Sequence, residues 1–193
     1  MARPKEFNPD EALEKAMHVF WHKGYEAASV EDLTSAMDIN RGSLYDTYGD
    51  KQKLFLACID RYCAHTVGSK LQLLNQPGPA LQTLRLFIRG MVEFGLSDPQ
   101  RRGCLIANTV MELAPHEKEI RNKVADALKM AEEAFFGVLC RAKEQGELGK
   151  EQDPRALARF LTTMMQGVIV MLKAGTPAEA LKQTVETALK MLD

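Results

Sequence analysis

The sequence lacks a marked excess of charge of either sign, and this bears directly on what the protein could bind. Its 25 Lys and Arg residues nearly balance 26 Asp and Glu residues, which leaves a formal net charge of −1. Up to residue 66 there are 8 basic residues against 11 acidic ones, a net of −3, and the remainder has 17 against 15, a net of +2. Bulk charge therefore argues against nucleic-acid binding, and any such function has to rest on the local arrangement of side chains.

Long apolar runs are also missing. The N-terminus leads from Met1 into a polar stretch that has no apolar core of a signal peptide. The most apolar run, Phe160 to Leu172, contains two threonines and a glutamine, and it is shorter than the ~20 residues that cross a bilayer. We therefore expect a cytoplasmic protein that has no membrane partner.

Metal-binding and catalytic motifs are equally scarce. The four cysteines form neither a C-x-x-C pair nor a zinc-ribbon spacing, so free thiols are expected in a reducing cytosol. His18 and His22 are four residues apart, but no third ligand is near in sequence, which favours a solvated helix face over a metal site. Because no H-E-x-x-H, E-x-x-H, G-x-S-x-G or phosphate-loop motif is present, the sequence predicts no metal, no cofactor and no enzyme.

Helical periodicity, by contrast, runs through the whole chain, and no segment alternates like a β-strand. Asn8 followed by Pro9 is a typical helix start, and Gly24 ends the apolar stripe that follows. Similar boundaries divide the chain into about nine helices. We predict an all-α fold with a three-helix helix-turn-helix domain in residues 1–50 and a helical effector-binding and dimerisation bundle in residues 51–193.

The second and third helices have the proportions of a helix-turn-helix. Ser29 begins a short helix that ends at Met37, a three-residue turn follows, and Asn40 can cap a third helix from Arg41 to about Thr47. Small and hydroxylated residues on that helix allow close approach to bases, while cations and helix-start N–H groups suit phosphates. The DNA contacts predicted from this chemistry, including a basic N-terminal arm, are Arg3, Lys5, Ser29, Arg41, Gly42, Ser43, Tyr45, Thr47 and Lys51.

The same segment resembles a known family. The patterns F-x3-G-Y-x3-S-V-E-D-L (Phe20 to Leu33) and I-N-R-G-S-L-Y-x2-Y-G-D-K (Ile39 to Lys51) are similar to the N-terminal signature of the tetracycline-repressor (TetR) family. The resemblance implies a homodimer on palindromic double-stranded operator DNA, with an all-helical ligand-binding domain. It also implies DNA contacts from Arg41, Gly42, Ser43, Tyr45, Asp46, Thr47 and Lys51, whereas Leu44 and Tyr48 match positions that pack inward.

Three positions depart from the family pattern. Asp38 stands where the turn usually has Gly, and Asp tolerates the left-handed conformation better than most residues. Thr47 replaces a common His, and Asp46 places an acid on the exposed face, where it could accept from a cytosine amino group or repel phosphates. The operator sequence cannot therefore be carried over from a relative.

The eighth helix is apolar on nearly all sides from Phe160 to Leu172. In a monomer such a helix could be central core. The resemblance instead suggests that the eighth and ninth helices pair with their copies, and small residues such as Gly167 would allow close approach. The predicted dimer-interface residues are Phe160, Gly167, Met171, Leu181, Val185 and Leu189.

A cavity for a small, apolar effector is expected among the fifth to eighth helices. Methionine suits adaptable apolar sites, although each of these residues could equally be ordinary core. The predicted lining residues are Phe87, Met91, Phe94, Cys104, Leu105, Met111, Phe135, Leu139, Met164 and Met165.

Cys104 is a candidate thiol sensor. It lies at a predicted helix N-terminus, two residues after the pair Arg101-Arg102, and both features favour a reactive thiolate. Some relatives that share the Gly103-Cys104-Leu105 start use this cysteine to sense electrophiles or oxidants, and Lys173 could pair with the modified sulfur. The alternative is a small packing residue at the mouth of the cavity.

These observations predict a dimeric DNA-binding transcriptional regulator, a repressor that a small apolar effector or thiol modification releases from its operator. A helical ligand-binding module that does not bind DNA is the alternative, and the acidic balance of the N-terminal part is what favours it.

Overall fold

The computed structural model describes residues 7–193, so the predicted DNA contacts of Arg3 and Lys5 lie outside the described residues. Within that range the chain forms nine helices and no strand, which confirms the all-α prediction. The helices are α1 (Pro9–Lys23), α2 (Val30–Met37), α3 (Arg41–Tyr48), α4 (Lys51–Arg61), α5 (Ala80–Ser97), α6 (Leu105–Glu112), α7 (Lys118–Glu144), α8 (Pro154–Lys173) and α9 (Ala178–Leu189).

Beyond Arg61 the fourth helix continues as irregular helical turns. It widens into a π-helical segment (Tyr62–Gly68), returns to one α-helical turn (Ser69–Leu71) and tightens into a 3₁₀ turn (Gln72–Asn75). Leu71 and Leu74 of this α4 extension are buried against the C-terminal helices, and π-helical departures of this kind are frequent at functional sites.

The first helices begin where side chains satisfy the free backbone N–H groups of the first turn. The Asn8 side chain accepts from Asp10 N at 3.0 Å, and the Asn40 side chain accepts from Ser43 N at 2.8 Å. Ser29 forms a complete capping box with Asp32, since each side chain accepts from the other's backbone N–H at 3.0 Å. Each cap stabilises its helix by about 1 kcal/mol, so the local sequence determines where these helices begin.

The first hydrophobic core joins the N-terminal helices to part of the following bundle. Phe20 of α1 stacks edge-to-face on Phe55 of α4 at 4.8 Å between ring centroids. Leu105 of α6 and Ile120 of α7 are buried in the same cluster. Packing is therefore continuous across the boundary predicted at residue 50.

The second core lies between α5, α7, α8, α9 and the end of the α4 extension. Leu181, Val185 and Leu189 of α9 are at most 3% exposed within it. These three predicted dimer-interface residues are therefore already covered by their own subunit in the single chain.

The eighth helix differs from the apolar run seen in the sequence. It has 20 residues, and its most apolar window has a mean hydropathy of 1.3, so by length and composition alone it could cross a bilayer. The argument that the run from Phe160 to Leu172 is too short to cross a bilayer therefore does not hold for the complete helix. A third of that window is buried within the protein, and the face left open holds apolar side chains such as Val170 and Met171, each about half exposed.

Candidate nucleic-acid interface and effector cavity

The third helix presents its polar face outward. Arg41, Gly42, Tyr45 and Asp46 are exposed, while Ser43 is half-buried. Leu44, on the opposite side, is fully buried, as expected of the residue that anchors the helix. The predicted DNA-contacting residues of α3 thus lie together on an accessible surface.

The turn before α3 has the conformation expected from its sequence. Asp38 ends α2 in the left-handed region, at φ 57° and ψ 46°, and its backbone N–H returns to Ser35 O and Thr34 O. On the far side of α3, the Tyr48 hydroxyl donates to Pro9 O at 2.9 Å, which ties the end of the helix to α1. Burial raises the pKa of Tyr48, so the hydroxyl remains a donor.

Cations and hydroxyls surround this face. Arg41 donates to the Tyr45 hydroxyl at 3.3 Å, and its guanidinium lies 5.6 Å from the centre of that ring. Lys51, the first residue of α4, holds its ammonium 4.4 Å above the Tyr25 ring. The Ser29 hydroxyl oxygen is engaged in capping α2 and keeps its own proton for a further acceptor.

A cavity of about 140 Å³ lies between the α4 extension, α5, α7 and α8, and Trp21 of α1 closes one side. Its walls are mostly apolar, with a few polar groups gathered near the loop that precedes α6. The lining residues are Trp21, Tyr62, Thr66, Val67, Lys70, Leu71, Phe87, Met91, Val92, Phe94, Gly95, Asp98, Arg102, Gly103, Cys104, Ala131, Phe135, Thr162, Met165, Gln166, Val168, Ile169 and Leu172.

The structure brings six of the predicted lining residues to this cavity: Phe87, Met91, Phe94, Cys104, Phe135 and Met165. The other four lie elsewhere. Leu105 and Leu139 are buried in the two cores, Met164 packs against the second core, and Met111 is 73% exposed in a separate groove. Periodicity identified the apolar helix faces but not which part of each face borders the cavity.

Cys104 occupies the N-cap position of α6 and is half-buried in the cavity wall. Burial, with the Cys104 thiol close by, raises the pKa of Tyr62 well above its usual range. Trp21 fixes the loop on the other side, because its indole N–H donates to Gly103 O at 3.2 Å.

Lys173, the predicted partner of a modified Cys104 sulfur, is engaged by another side chain. Its ammonium donates to Asn108 Oδ1 at 2.8 Å, and the Asn108 amide donates to Arg102 O at 3.0 Å. Arg102 in turn binds Asp98 at 3.1 Å and lies 4.4 Å from the Trp21 ring. The predicted partner of a modified sulfur is thus part of a network that holds the loop before α6.

Glu112, at the other end of α6, makes a contact that the sequence did not indicate. Its carboxylate accepts from Tyr25 N at 3.0 Å and from Glu26 N at 2.9 Å, in the loop between α1 and α2. Gly24, at φ 84°, lies so close that a Cβ there would meet the carboxylate oxygens at 3.0 Å. No local pattern reveals this contact, since its partners are more than eighty residues apart in the chain.

The outer faces of α8 and α9 remain uncovered in the single chain. Of the predicted interface residues, Gly167 and Met171 are exposed and Phe160 is half-buried. A Cβ on Gly167 would meet nothing within 4 Å, so this side of α8 is open.

A helix-turn-helix with an exposed, hydroxyl-rich recognition helix, joined to a helical bundle around an apolar cavity, defines a DNA-binding transcriptional regulator. Residues 12–58 match the bacterial regulatory proteins of the tetR family, and residues 80–188 match the tetracyclin repressor-like C-terminal domain. The chain belongs to the tetracycline-repressor family, whose members bind double-stranded operator DNA as homodimers and respond to small molecules.

Individual relatives agree with this assignment. The chain is 36% identical over 195 residues to the uncharacterized HTH-type transcriptional regulator YezE of Bacillus subtilis (strain 168), covering 100% of both. It is 31% identical to the HTH-type transcriptional repressor ComR of Escherichia coli (strain K12), covering 98% of this chain and 90% of ComR. Its structure is similar to a cysteine mutant of the TetR-family regulator CifR complexed with 26-base-pair double-strand operator DNA, with a TM-score of 0.88, 31% identity and 100% of each chain covered.

Proposed function

We propose that this regulator is a cytoplasmic, non-catalytic repressor that binds a palindromic operator through one α3 from each protomer. It leaves the operator when a small molecule enters the cavity or when Cys104 is modified. The observation that carries the proposal is the position of α6: Cys104 at its start borders the cavity, and Glu112 at its end holds the loop that leads into α2.

Recognition of the operator is assigned to the exposed face of α3 and its surroundings. Arg41 and Tyr45 approach base edges, and Gly42 allows the backbone to come close to the groove floor. Lys51 and Ser29, at the starts of α4 and α2, contact phosphates and fix the register. Asp46 is assigned to a cytosine amino group, because an acid that faced phosphates would oppose binding.

The dimer places the two recognition helices about one turn of DNA, ~34 Å, apart. We assign its interface to the open face of α8, including Gly167, Val170 and Met171, and to the exposed side of α9. Small and apolar residues there permit close packing of a four-helix arrangement. A change in the tilt of α6 within each protomer then alters the spacing of the two α3 helices.

Operator release follows from the rigidity of α6, which has only eight residues and is buried along much of its length. An occupant that displaces Cys104 or Gly103 also displaces Glu112, and with it the Tyr25–Glu26 backbone. That backbone leads directly into Ser29, where α2 begins. The effector site and the DNA-binding helices are thereby coupled through one element.

Operator binding is tested with the purified dimer and a palindromic site from its own upstream DNA, at two salt concentrations. The comparison is wild type, Tyr45→Ala and Leu73→Ala, the last of which also shortens an exposed apolar side chain but lies on the α4 extension. We expect salt-sensitive binding that Tyr45→Ala weakens by roughly tenfold or more and Leu73→Ala leaves unchanged. Equal binding by all three proteins would refute the assignment of α3.

The thiol branch of the proposal is tested by Cys104→Ser beside Cys140→Ser. The serine at residue 104 preserves size and hydrogen bonding, so operator binding should remain, but an electrophile such as N-ethylmaleimide should no longer release the DNA. Cys140→Ser should respond like the wild type. If the electrophile released DNA from the Cys104→Ser protein at the wild-type rate, Cys104 would have no part in the mechanism.

A further inference from the structure

Within the described part of the chain, one cation at the cavity has no carboxylate partner. Lys70, on the α4 extension, lines the cavity and places its ammonium 3.2 Å from the centre of the Phe94 ring. Among residues 7–193 no carboxylate lies within ion-pair distance of this ammonium, and no hydrogen bond engages it. Removal from water lowers the pKa of Lys70, and only the nearby Cys104 thiol opposes this effect.

The other charges at the cavity are already compensated. The Asp98 carboxylate accepts from Arg102 N at 2.9 Å, from Arg102 Nε at 3.1 Å and from Gln100 N at 3.2 Å. These contacts hold the pKa of Asp98 below its usual value against the opposing effect of burial. Because Arg102 is already paired with Asp98 and lies over the Trp21 ring, Lys70 is the cation available to a ligand.

The size of the cavity limits what can accompany a charged group. Its volume of about 140 Å³ is close to the ~150 Å³ of an engineered apolar cavity that holds one benzene molecule. Phe87 and Phe135, which meet edge-to-face at 6.0 Å, form an aromatic wall within it. A single aromatic ring therefore fits the apolar part, with room at the Lys70 end for a small head group.

We propose that the cavity binds a small aromatic carboxylate, whose ring lies against Phe87 and Phe135 and whose carboxylate pairs with Lys70. The assignment rests on the proposed effector function of this cavity and specifies the chemical class of the effector. A carboxylate supplies the counterion that Lys70 lacks, and a charge-assisted hydrogen bond in an apolar wall is strong. Neutral aromatic molecules of the same shape leave the ammonium unpaired and bind more weakly.

Calorimetric titration of the intact dimer with benzoate, phenylacetate and cinnamate, each beside its neutral amide, tests the assignment. We expect at least one acid to bind roughly tenfold or more tightly than its amide. Lys70→Met removes the charge but keeps an unbranched side chain of nearly the same length, and it should abolish this preference, whereas Lys70→Arg should retain it. Lys190→Met makes the same change of charge at an exposed position outside the cavity and should have no effect.

Three results would overturn the assignment: equal affinities for acid and amide, a preference that survives in Lys70→Met, or no binding of any acid. Operator binding measured on the same samples separates this failure from failure of the proposed function. If neutral aromatics or electrophiles release the operator while the acids do not bind, the regulator remains and only the ligand class is wrong. If an acid binds through Lys70 but leaves operator affinity unchanged, the ligand class stands and the effector function is wrong.

Discussion

The contact between Glu112 and the α1–α2 loop gives the most direct test of how the two halves of the protein are joined. Replacing Glu112 with Ala removes the acceptor of two backbone N–H groups, at 3.0 Å from Tyr25 and 2.9 Å from Glu26. Hydrogen bonds to a charged group contribute about 1.5–3 kcal/mol each, and partial exposure favours the lower figure. The expected loss is therefore about 3 kcal/mol in the free energy of unfolding.

This loss is large enough to measure in two ways. For a chain of this length 1 kcal/mol shifts the midpoint of thermal unfolding by about 2–4 °C, so Glu112→Ala should melt roughly 6–12 °C below the wild type. The amide protons of Tyr25 and Glu26 should exchange with solvent roughly tenfold faster, since about 1.4 kcal/mol corresponds to a factor of ten. Hydrogen exchange followed by NMR or mass spectrometry locates the effect.

The control is Glu119→Ala, which removes the same charge from an exposed position in the first turn of α7. Its melting temperature should fall by only about 1–4 °C, because an acid in the first turn of a helix contributes about 0.3–1 kcal/mol, and the exchange of the two amides should match the wild type. Unchanged exchange at Tyr25 and Glu26 in Glu112→Ala would refute the bond, whatever happened to the melting temperature. A fall in melting temperature alone would show only that the substitution is unfavourable.

Three further outcomes are expected from the fold. Leu44→Ala should cost about 2–5 kcal/mol in urea unfolding, because this fully buried side chain anchors α3, and a smaller loss would mean that α3 is held by other contacts. Met171→Asp should give monomers in sedimentation analysis whereas Leu86→Asp should not; a dimeric Met171→Asp would place the interface elsewhere. The Lys23 ammonium, 2.6 Å from the Asp32 carboxylate, and the capping hydrogen bonds with Ser29 together lower the pKa of Asp32 to about 2. The carboxylate therefore stabilises the fold above its unfolded pKa of about 3.9, and that contribution is lost as the pH falls toward 2. In Lys23→Met, NMR titration should find a higher pKa for Asp32.

The sequence predicted best what short-range chemistry determines. Asn8, Ser29 and Asn40 cap helices through partners two or three residues away, so the amino-acid sequence alone is enough to predict their roles. Asp38 adopts the left-handed conformation expected of its place in the turn. These local devices, with the dense motif around α3, sufficed for the fold class and the family.

Predictions that depend on what covers an apolar stripe were less secure. Leu181 and Val185 have the spacing of a buried helix face, but spacing does not tell whether the cover is the same chain or a second copy. The structure supplies α5 and α8 as that cover and leaves Met171 and Val170 outside. Lys70 could not be predicted for a related reason, since an isolated lysine in a polar segment has no pattern that points into a cavity.

The position of Glu112 also makes the coupling between cavity and operator testable as a thermodynamic link. If benzoate weakens operator binding by some factor, the operator must weaken benzoate binding by the same factor. Should α6 transmit this effect through Glu112, both factors must approach one in Glu112→Ala, even though each ligand alone still binds. Titration of benzoate with and without operator DNA, in the wild type and in this variant, measures all four affinities. A factor that survives the substitution would move the link to a contact between α1 and the loop before α6, such as the hydrogen bond from Trp21 to Gly103, which Trp21→Phe would then break.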